Sequence, residues 1–255
     1  MRTFWDYSNV VKDYSKRPQY CPEAVERMLS VVSLKKNNMV CDIGAGTANF
    51  TLMLVKRGLK IIAIEPNDLM REQGMSLTRD YSEISWLDAV GEDTGLPAHC
   101  CNLVTYASSF NVTDRTKSLI EAHRILAKDG WFACMWNHRD KEDYLQARIE
   151  EMLKKYIPDY DDDANGKRYE DQSKIIDSCG LFGQVKKLSA RFLYHASKKD
   201  FIRMWRSHGT MHPQAKNRFA HVVNDIEKLV NSYEQQESTV SVPYITKIWM
   251  APVKQ

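Results

Sequence analysis

The sequence lacks the marks of several protein classes. Its six cysteines contain no C-x-x-C pair and no zinc-type spacing with histidine, which argues against a thiol redox motif and a structural zinc site. No apolar run is long enough to span a bilayer, and the first residues lack the apolar core of a secretion signal. We therefore expect a cytoplasmic protein whose cysteines are buried free thiols.

A strong excess of one charge is missing as well. The 36 Lys and Arg residues are scattered among 33 Asp and Glu residues, and the net charge is only +3. Without a basic stripe, the composition gives no support to a nucleic-acid partner. An acidic run at 159–163 could hold a divalent ion, but runs of one sign are usually solvated loops, so we expect no metal there.

What is present is an alternation of apolar, β-branched runs with helix-period segments, which is typical of a parallel sheet covered by helices on both faces. Strands are predicted at 39–43, 59–65, 84–89, 103–107 and 130–137, with helices between them at 48–57, 68–78 and 116–126. Beyond residue 140, helices at 145–156, 169–179, 198–207 and 214–232 accompany strands at 184–192 and 239–250. The pattern predicts an α/β nucleotide-type core followed by inserted helices.

A glycine turn and two acids define the first candidate site. The stretch VCDIGAGTANF predicts a strand, a turn with Gly44 and Gly46, and a helix start, where backbone N–H groups point at a ligand. Nicotinamide, flavin and S-adenosylmethionine (SAM) proteins all use such turns, but the stretch from Gly44 to Asn49 lacks the third glycine of a dinucleotide site. Asp42 would repel a pyrophosphate and attract the ammonium group of SAM. Glu65, ending the second predicted strand, can accept both hydroxyls of an adenosine ribose.

Each acid also has a purely structural interpretation. Asp42 could cap a turn or helix, and Glu65 before Pro66 could simply end a strand. A nicotinamide oxidoreductase is a further alternative, which the placement of Asp42 and the missing third glycine disfavour. The two acids at these offsets together favour a ligand site that accepts SAM.

Several motifs together resemble those of the class I SAM-dependent methyltransferases, in particular the type 11 group. The resemblance is strongest to small-molecule enzymes like those of ubiquinone and menaquinone biosynthesis. The resemblance covers roughly residues 5–140 and rests on DYSNVVKDYSKRPQYCPE, VCDIGAGTANF, IIAIEP, VGEDTGLP, CCNLVTYASSFNVTD and EAHRILAKDGWFACMW. It implies a Rossmann-like α/β fold with a seven-stranded sheet, mostly parallel with an antiparallel last strand, for which STVSVPYITKIWMAP has the right alternation. It also implies a small-molecule acceptor and a monomer or homodimer.

The resemblance divides one domain, 1–255, into a lid segment at 1–30, a SAM-binding core at 31–140, a helical cap at 141–235 containing the strand at 184–192, and a last strand at 236–255. It implies that the cofactor is bound by Tyr14, Tyr20, Asp42, Gly44, Ala45, Gly46, Thr47, Glu65, Pro66, Met70, Gly91, Glu92, Ser108 and Phe110. Glu65 would hold the ribose, while Met70, Gly91 and Glu92 would lie beside the adenine. Tyr14 and Tyr20 would belong to the lid.

Methyl transfer from SAM is a direct displacement, so positioning matters most and a base is needed only when the acceptor must lose a proton. We expect the ends of strands four and five to line the site with Ser108, Ser109, Phe110 and Asn111, and with Asn137, His138 and Arg139. This makes His138 the leading base and Asn111 a further catalytic candidate. His208 in the cap is a second base candidate. Each histidine has a structural alternative, a surface turn for His138 and a helix-end contact for His208. An aromatic acceptor pocket or a plain core is predicted for Tyr144, Tyr169, Trp205 and Tyr244.

Three other functions stay open. The same fold serves RNA and protein methyltransferases, although the sequence shows no continuous basic face. A SAM-binding protein without methyl transfer is compatible with the departures from the family pattern near 111–114. The leading prediction is methyl transfer to O, N or C of a small molecule.

Overall fold

The fold is described from a computed structural model that covers residues 11–14, 16–163, 167–233 and 238–254, with Lys12 described by its backbone alone. Within these residues seven strands form one sheet in the order β3-β2-β1-β4-β5-β7-β6. The strands are β1 (Met39–Ile43), β2 (Lys60–Ile64), β3 (Ile84–Leu87), β4 (Cys101–Ala107), β5 (Leu126–Arg139), β6 (Lys186–Ser197) and β7 (Thr239–Pro252). Strand β7 runs antiparallel to both neighbours, β5 and β6, while β1 to β5 pair in parallel. The predicted seven-stranded Rossmann-like sheet is therefore confirmed.

Helices cover both faces of this sheet. They are α1 (Val11–Tyr14), α2 (Pro22–Val32), α3 (Thr51–Val55), α4 (Asp68–Thr78), α5 (Arg115–Ile125), α6 (Tyr144–Tyr156), α7 (Ser173–Ser178), α8 (Lys198–Arg206), α9 (Met211–Ala215) and α10 (Phe219–Ser232). Polar side chains fix several helix starts: Asn67 accepts from the backbone N–H of Met70 at α4, and Asp114 accepts from that of Lys117 at α5. These caps place the first turns of α4 and α5 beside the ends of the strands.

The core lies in three apolar clusters. Successive residues of β1 point to opposite faces, so Val40 packs with α2 and α3 while Cys41 packs with α5 and α7. This burial on both faces explains the continuous apolar runs of the first strands. The third cluster joins α6, α8 and α10 to Val240, Val242 and Tyr244 of β7. The C-terminal helices therefore have a core of their own against one end of the sheet.

Several predicted boundaries were wrong for local reasons. The helix predicted at 48–57 is confined to α3, because Ala48 has a left-handed backbone with φ +71°. The helix predicted at 214–232 is interrupted at Lys216, whose φ is +50°, and splits into α9 and α10. Strand β6 reaches Ser197 because it pairs with β7 along its whole length. The helix predicted at 169–179 shrinks to α7.

The cysteines and the lid prediction have mixed outcomes. All six cysteines are free thiols, and four are buried, while Cys100 and Cys179 are partly exposed. Residues 1–10 and Ser15 of the predicted lid lie outside the described residues, whereas the rest consists of α1, a non-helical connection at 16–21 and the first part of α2. Within the described ranges, none of the helices combines the length and apolarity needed to cross a bilayer.

Candidate active site

The glycine turn brings the ends of three strands together. Gly44 follows β1 with φ +69°, and its backbone N–H donates to the carbonyl of Ile64 at the end of β2 over 2.8 Å. A Cβ atom at Gly44 would lie 2.4 Å from the Cβ of Ser109, just beyond β4. Only glycine tolerates both the left-handed backbone and this approach. The turn therefore sits where ligands bind in open α/β sheets, outside the carboxyl ends of the strands.

Asp42 lies beneath this turn with no exposed surface. Its carboxylate accepts hydrogen bonds from Thr51 Oγ1 at 2.7 Å and Thr105 Oγ1 at 3.0 Å. Burial raises the pKa of Asp42 to about 6, and the two hydroxyl hydrogen bonds oppose that rise without cancelling it. Within the described residues no Lys, Arg or His forms an ion pair with it. Asp42 is therefore a buried carboxylate that a cationic ligand would stabilise.

Glu65 fixes the other side of the turn. One carboxylate oxygen accepts the Gly46 N–H and the other accepts the Asn67 N–H, each at 2.9 Å. Burial raises the pKa of Glu65, while these two backbone donors oppose the rise. A carboxylate has about four acceptor positions, so each oxygen can accept one further hydroxyl. Glu65 both holds the glycine turn and offers acceptors to a ligand.

Two cavities open at this end of the sheet. We call the first the glutamate cavity, which has a volume of about 440 Å³, within the range of small-molecule sites. It is lined by Tyr14, Ile43, Gly44, Gly46, Ile64, Glu65, Pro66, Asn67, Met70, Ala89, Val90, Gly91, Glu92, Ala107, Ser108, Ser109, Val112, Thr113, Asp114 and Lys117. Apolar side chains from β1 and β2, together with Met70, form one wall, and the Glu65 carboxylate supplies the polar group.

The second, which we call the arginine cavity, is smaller, at about 110 Å³. It is lined by Tyr14, Arg17, Pro18, Tyr20, Asp42, Gly44, Ala45, Gly46, Asn49, Phe50, Ala107, Ser108, Asn137, Arg139, Arg168, Met204, Trp205, His208 and Tyr244. The two cavities share Tyr14, Gly44, Gly46, Ala107 and Ser108. Ser108 is itself left-handed, with φ +62°, and its hydroxyl hydrogen-bonds the Tyr20 hydroxyl at 2.7 Å. The shared residues form a seam between an adenosine-sized space and a charged one.

Comparison with known proteins agrees with this geometry. Residues 41–134 match the family described as methyltransferase domain. An uncharacterized methyltransferase of Mycobacterium bovis is 29% identical over 136 residues, which is 53% of each chain. A ubiquinone/menaquinone biosynthesis C-methyltransferase of Campylobacter jejuni is 23% identical over 164 residues, covering 60% of this chain and 68% of that protein. The predicted resemblance to methyltransferases is therefore confirmed for this part of the chain. The chain spans about half the length of the first of these curated relatives.

Solved structures of methyltransferases share the fold. A candidate type II methyltransferase of Anaeromyxobacter dehalogenans superimposes with a TM-score of 0.68 at 16% identity, covering 92% of this chain and 97% of that one. Phosphoethanolamine N-methyltransferase 2 of Haemonchus contortus, solved with phosphomonomethylethanolamine and S-adenosylhomocysteine, gives 0.60 at 10% identity, covering all of this chain and 61% of that one. At these identities the structural similarity shows a shared fold alone.

Most of the residues that the sequence assigned to the methyltransferase site line one of the two cavities. In the glutamate cavity these are Tyr14, Gly44, Gly46, Glu65, Pro66, Met70, Gly91, Glu92 and Ser108. In the arginine cavity they are Tyr14, Tyr20, Asp42, Gly44, Ala45, Gly46, Ser108 and His208. Their grouping follows from the turns that end β1, β2 and β4 on the same edge of the sheet.

Four predicted site residues lie outside both cavities. His138 follows Asn137 and precedes Arg139 on β5, and since these neighbours line the arginine cavity, strand alternation turns His138 to the other face. Neither of its ring nitrogens has a partner among the described residues, and burial lowers its pKa to about 3. Asn111 accepts a hydrogen bond from Trp136 Nε1, and Phe110 is fully buried in the core. Thr47 is also buried, and its hydroxyl has no partner in the described part of the chain.

His208 is the predicted base that does reach a cavity. Its ring stacks on Trp205 with centroids 5.2 Å apart, and Nδ1 lies 3.0 Å from Thr210 Oγ1. Burial lowers the pKa of His208 well below its ordinary value, and the charges of Arg17, Arg139 and Arg168 lower it further. The imidazole is therefore neutral near pH 7.

Two of the four aromatic residues predicted for an acceptor pocket or a core line the arginine cavity. Trp205 and Tyr244 face the arginine cavity, whereas Tyr144 is 64% exposed and stacks on Tyr233. Tyr169 lies outside the lining and donates to Asp162. The expected solvated loop was wrong at its end, because Asp162 and Asp163 are buried. Asp162 pairs with Arg139 instead of facing solvent, since a buried guanidinium needs an anion.

Sequence reasoning placed Arg139 at the site, after strand five, but missed the two other arginines that line the arginine cavity. Arg17 stands in the Arg-Pro pair of the N-terminal motif, so a signal was present, but Arg168 follows the acidic run with no recognisable pattern. Over the ranges that the structure describes, no group of three or more His, Cys, Asp or Glu residues could hold a metal ion. The charged chemistry of this site comes from guanidinium groups and carboxylates.

Proposed function

We propose that this protein transfers a methyl group from SAM to a small-molecule acceptor. The observation that carries the proposal is the seam at Gly44 and Ser108. On one side of it lies a cavity with the Glu65 carboxylate. On the other lies a cavity with the Asp42 carboxylate, which forms no ion pair with any described residue. A nucleoside and a cationic amino-acid moiety joined in one molecule would span that seam.

The residues present fit SAM on several counts. Glu65 has acceptor capacity left for ribose hydroxyls, and Met70 offers an apolar surface for the adenine in the glutamate cavity. Asp42, without a cation of its own among the described residues, fits the ammonium group of the methionine moiety. Tyr14 and Tyr20 would hold the ligand from the N-terminal side as part of a lid. When bound, SAM would supply a methyl carbon bonded to a sulfonium. The acceptor lone pair would bond to that carbon while the carbon–sulfur bond breaks, and S-adenosylhomocysteine would leave without a covalent enzyme intermediate.

The protein's own contribution is positioning and proton removal. Holding the reactants in line contributes up to about 7–11 kcal/mol to lowering the barrier when the geometry is well defined. Where the acceptor must lose a proton, His208 is the candidate base, because a neutral imidazole in the arginine cavity can accept one. Tyr244, which also lines this cavity, is a candidate for orienting the acceptor. Choice between O, N and C then follows from the shape of the arginine cavity.

A small acceptor suits the size and the walls of this cavity. Helix α8 contributes Met204 and Trp205, so the C-terminal helices form a cap over the acceptor side. We propose that residues 31–140 form the cofactor-binding core and that residues 141–235 form this cap within one domain. A cytoplasmic location and a monomeric or homodimeric state complete the proposal.

Calorimetry with S-adenosylhomocysteine and, separately, NAD⁺ tests the cofactor assignment. We expect saturable binding of S-adenosylhomocysteine, none of NAD⁺, and about tenfold weaker binding in Glu65→Gln, since one charge-assisted hydrogen bond is worth about 1.5–3 kcal/mol. Glu72→Gln, an exposed change of the same kind on α4, is the control and should bind normally. Binding of NAD⁺ in preference to S-adenosylhomocysteine would overturn the proposal. Release of S-adenosylhomocysteine from methyl-labelled SAM with candidate acceptors then tests transfer itself.

A further inference from the structure

The arginine cavity has more cationic than anionic side chains in its lining. Three guanidinium groups line it, those of Arg17, Arg139 and Arg168, together with the neutral His208. Asp42 is the one carboxylate among the lining residues, and it forms no ion pair with any of the three within the described residues. The lining therefore carries a net positive charge in a place that is largely screened from water.

Arg139 is the guanidinium with acidic partners. Its Nη2 lies 2.9 Å from Glu150 and 3.0 Å from Asp162, and its side chain is 6% exposed. Both acids also attract Lys141, so their charge is shared. The other terminal nitrogen, Nη1, is buried and has no partner among the described residues. A buried guanidinium nitrogen with a free N–H donor beside a cavity calls for an acceptor from a ligand.

Arg168 and Arg17 have no carboxylate within ion-pair distance in the part of the chain that the structure describes. Arg168 donates from Nη2 to the backbone carbonyl of Asn137, and its Nε is buried without a partner there. Arg17 donates to the carbonyl of Ser207 over 2.6 Å, and its guanidinium lies 4.3 Å from the centroid of the Tyr14 ring. Carbonyl oxygens orient these groups, and the buried carboxylates of Asp162 and Asp163 attract Arg168 without forming an ion pair with it.

The proposed donor can compensate only part of this charge. SAM carries one carboxylate, and Arg17 is the guanidinium packed on Tyr14, a residue of the seam between the two cavities. The ammonium group of SAM suits Asp42, and the sulfonium of SAM adds a positive charge to the same cavity. Even with the donor in place, Arg139 Nη1 and Arg168 Nε have no hydrogen-bond acceptor among the described residues. A methyl acceptor without an oxyanion would leave these buried donors unsatisfied.

We infer that the methyl acceptor carries an anionic group, a carboxylate or a phosphate, which Arg168 and Arg139 hold in the arginine cavity. This inference rests on the proposed function, because it identifies the acceptor class of the same site. Guanidinium groups suit planar and tetrahedral oxyanions because their N–H donors form a rigid fork. The anion would compensate the two guanidiniums that lie beside the reacting centre. It would also raise the basicity of His208 by offsetting the positive charges around it.

Anion binding to the S-adenosylhomocysteine complex tests this directly. Phosphate and citrate are titrated separately into the saturated complex by calorimetry, with acetamide as an uncharged probe. We expect saturable binding of at least one anion, no binding of acetamide, and at least tenfold weaker anion binding in Arg168→Gln. The affinity of Arg168→Gln for S-adenosylhomocysteine should stay within about threefold of the wild-type value, because the donor carboxylate is assigned to Arg17 and its ammonium to Asp42. Preference for citrate indicates a carboxylate acceptor, and preference for phosphate a phosphorylated one.

Two further variants keep the test decisive. Arg148→Gln removes a positive charge from an exposed position on α6 and should bind anions as the wild type does. Arg168→Lys keeps the charge without the fork and should give an intermediate affinity, which serves if Arg168→Gln fails to fold. Absence of saturable anion binding to the wild-type complex, or equal binding by Arg168→Gln, overturns the inference. Failure of the wild type to bind S-adenosylhomocysteine contradicts the proposed function instead.

Discussion

The two cavities share a seam but are assembled from different stretches of the chain. Apart from Tyr14, the glutamate cavity takes its lining from residues 43–117, at the ends of consecutive parallel strands. The arginine cavity combines residues from Tyr14 to Tyr244. Its walls depend on long-range contacts, such as Arg17 with Ser207 and Tyr194 with Lys16. The first cavity is a product of local turns, whereas the second exists only after the cap has folded onto the sheet.

This difference assigns distinct work to the two halves. A cavity made by the turns of a parallel sheet can keep one ligand while the rest of the chain diverges, because its geometry depends on a few strand ends. A cavity made by a cap can change its lining with each helix. We therefore expect donor binding to depend on Asp42 and Glu65, and acceptor choice on the arginines.

The largest expected effect on ligand binding is the loss of donor affinity in Asp42→Asn. Removing the one carboxylate among the described lining residues of the arginine cavity should weaken S-adenosylhomocysteine binding roughly a hundredfold, about 2.7 kcal/mol, because the ligand ammonium loses its buried counter-charge. Calorimetry measures this, with Asp80→Asn, whose side chain is 85% exposed, as the control. Unchanged affinity would show that Asp42 serves the turn alone and would remove the electrostatic contrast between the cavities.

A second test uses two glycines with the same backbone and different surroundings. Gly44 and Gly95 have φ values of +69° and +68°, but a Cβ at Gly44 meets Ser109 at 2.4 Å, whereas nothing lies within 4 Å at Gly95. Gly95→Ala should lower the free energy of unfolding by about 1 kcal/mol, the cost of the left-handed backbone. Gly44→Ala should lower it by about 3 kcal/mol, because the clash adds to that cost.

Chemical denaturation of both variants measures these values. Equal losses would mean that the end of β4 can move away from the glycine turn. In that case the seam would be adaptable rather than fixed.

The pH dependence of donor binding gives a smaller effect. Because burial raises the pKa of Asp42 to about 6, the carboxylate is ionised above that pH and protonated below it. Affinity for S-adenosylhomocysteine should therefore fall roughly tenfold from pH 7 to pH 5, since the protonated acid no longer attracts an ammonium. The same titration on Asp42→Asn should be flat over this range, and a parallel fall in the variant would assign the effect to another group.

The smallest expected effect concerns Ala48, an alanine whose left-handed backbone would favour glycine. Ala48→Gly relieves about 1–2 kcal/mol of backbone strain. It also removes a fully buried methyl group, which is worth about 0.8 kcal/mol. The greater conformational entropy of glycine in the unfolded chain lowers the stability by a further amount of about 0.4–1 kcal/mol. The net change in the free energy of unfolding should stay within about 1 kcal/mol. A loss above about 2 kcal/mol would contradict the left-handed assignment.

Sequence patterns predicted the sheet and the glycine turn because both follow from short-range rules. Apolar runs located the strands to within a few residues, and Gly44, Asp42 and Glu65 came together because parallel strands end on the same edge. The placement of His138 was not predictable in this way, since the alternation of β5 decides its face and a single-residue shift in register reverses it. Asn111 likewise followed a strand end but bonds Trp136.

By itself, the sequence determined the order of the strands' apolar runs, the turn at Gly44 and the pair of acids that favour a cationic nucleoside, because each depends on residues close together in the chain. The tertiary structure alone decided that Arg17 and Arg168 face the same cavity as His208, and that Asp162 is buried against Arg139 rather than solvated. The reason is physical: compensation of buried charge depends on distances in space, and residues far apart in the chain share such distances only once the cap has packed.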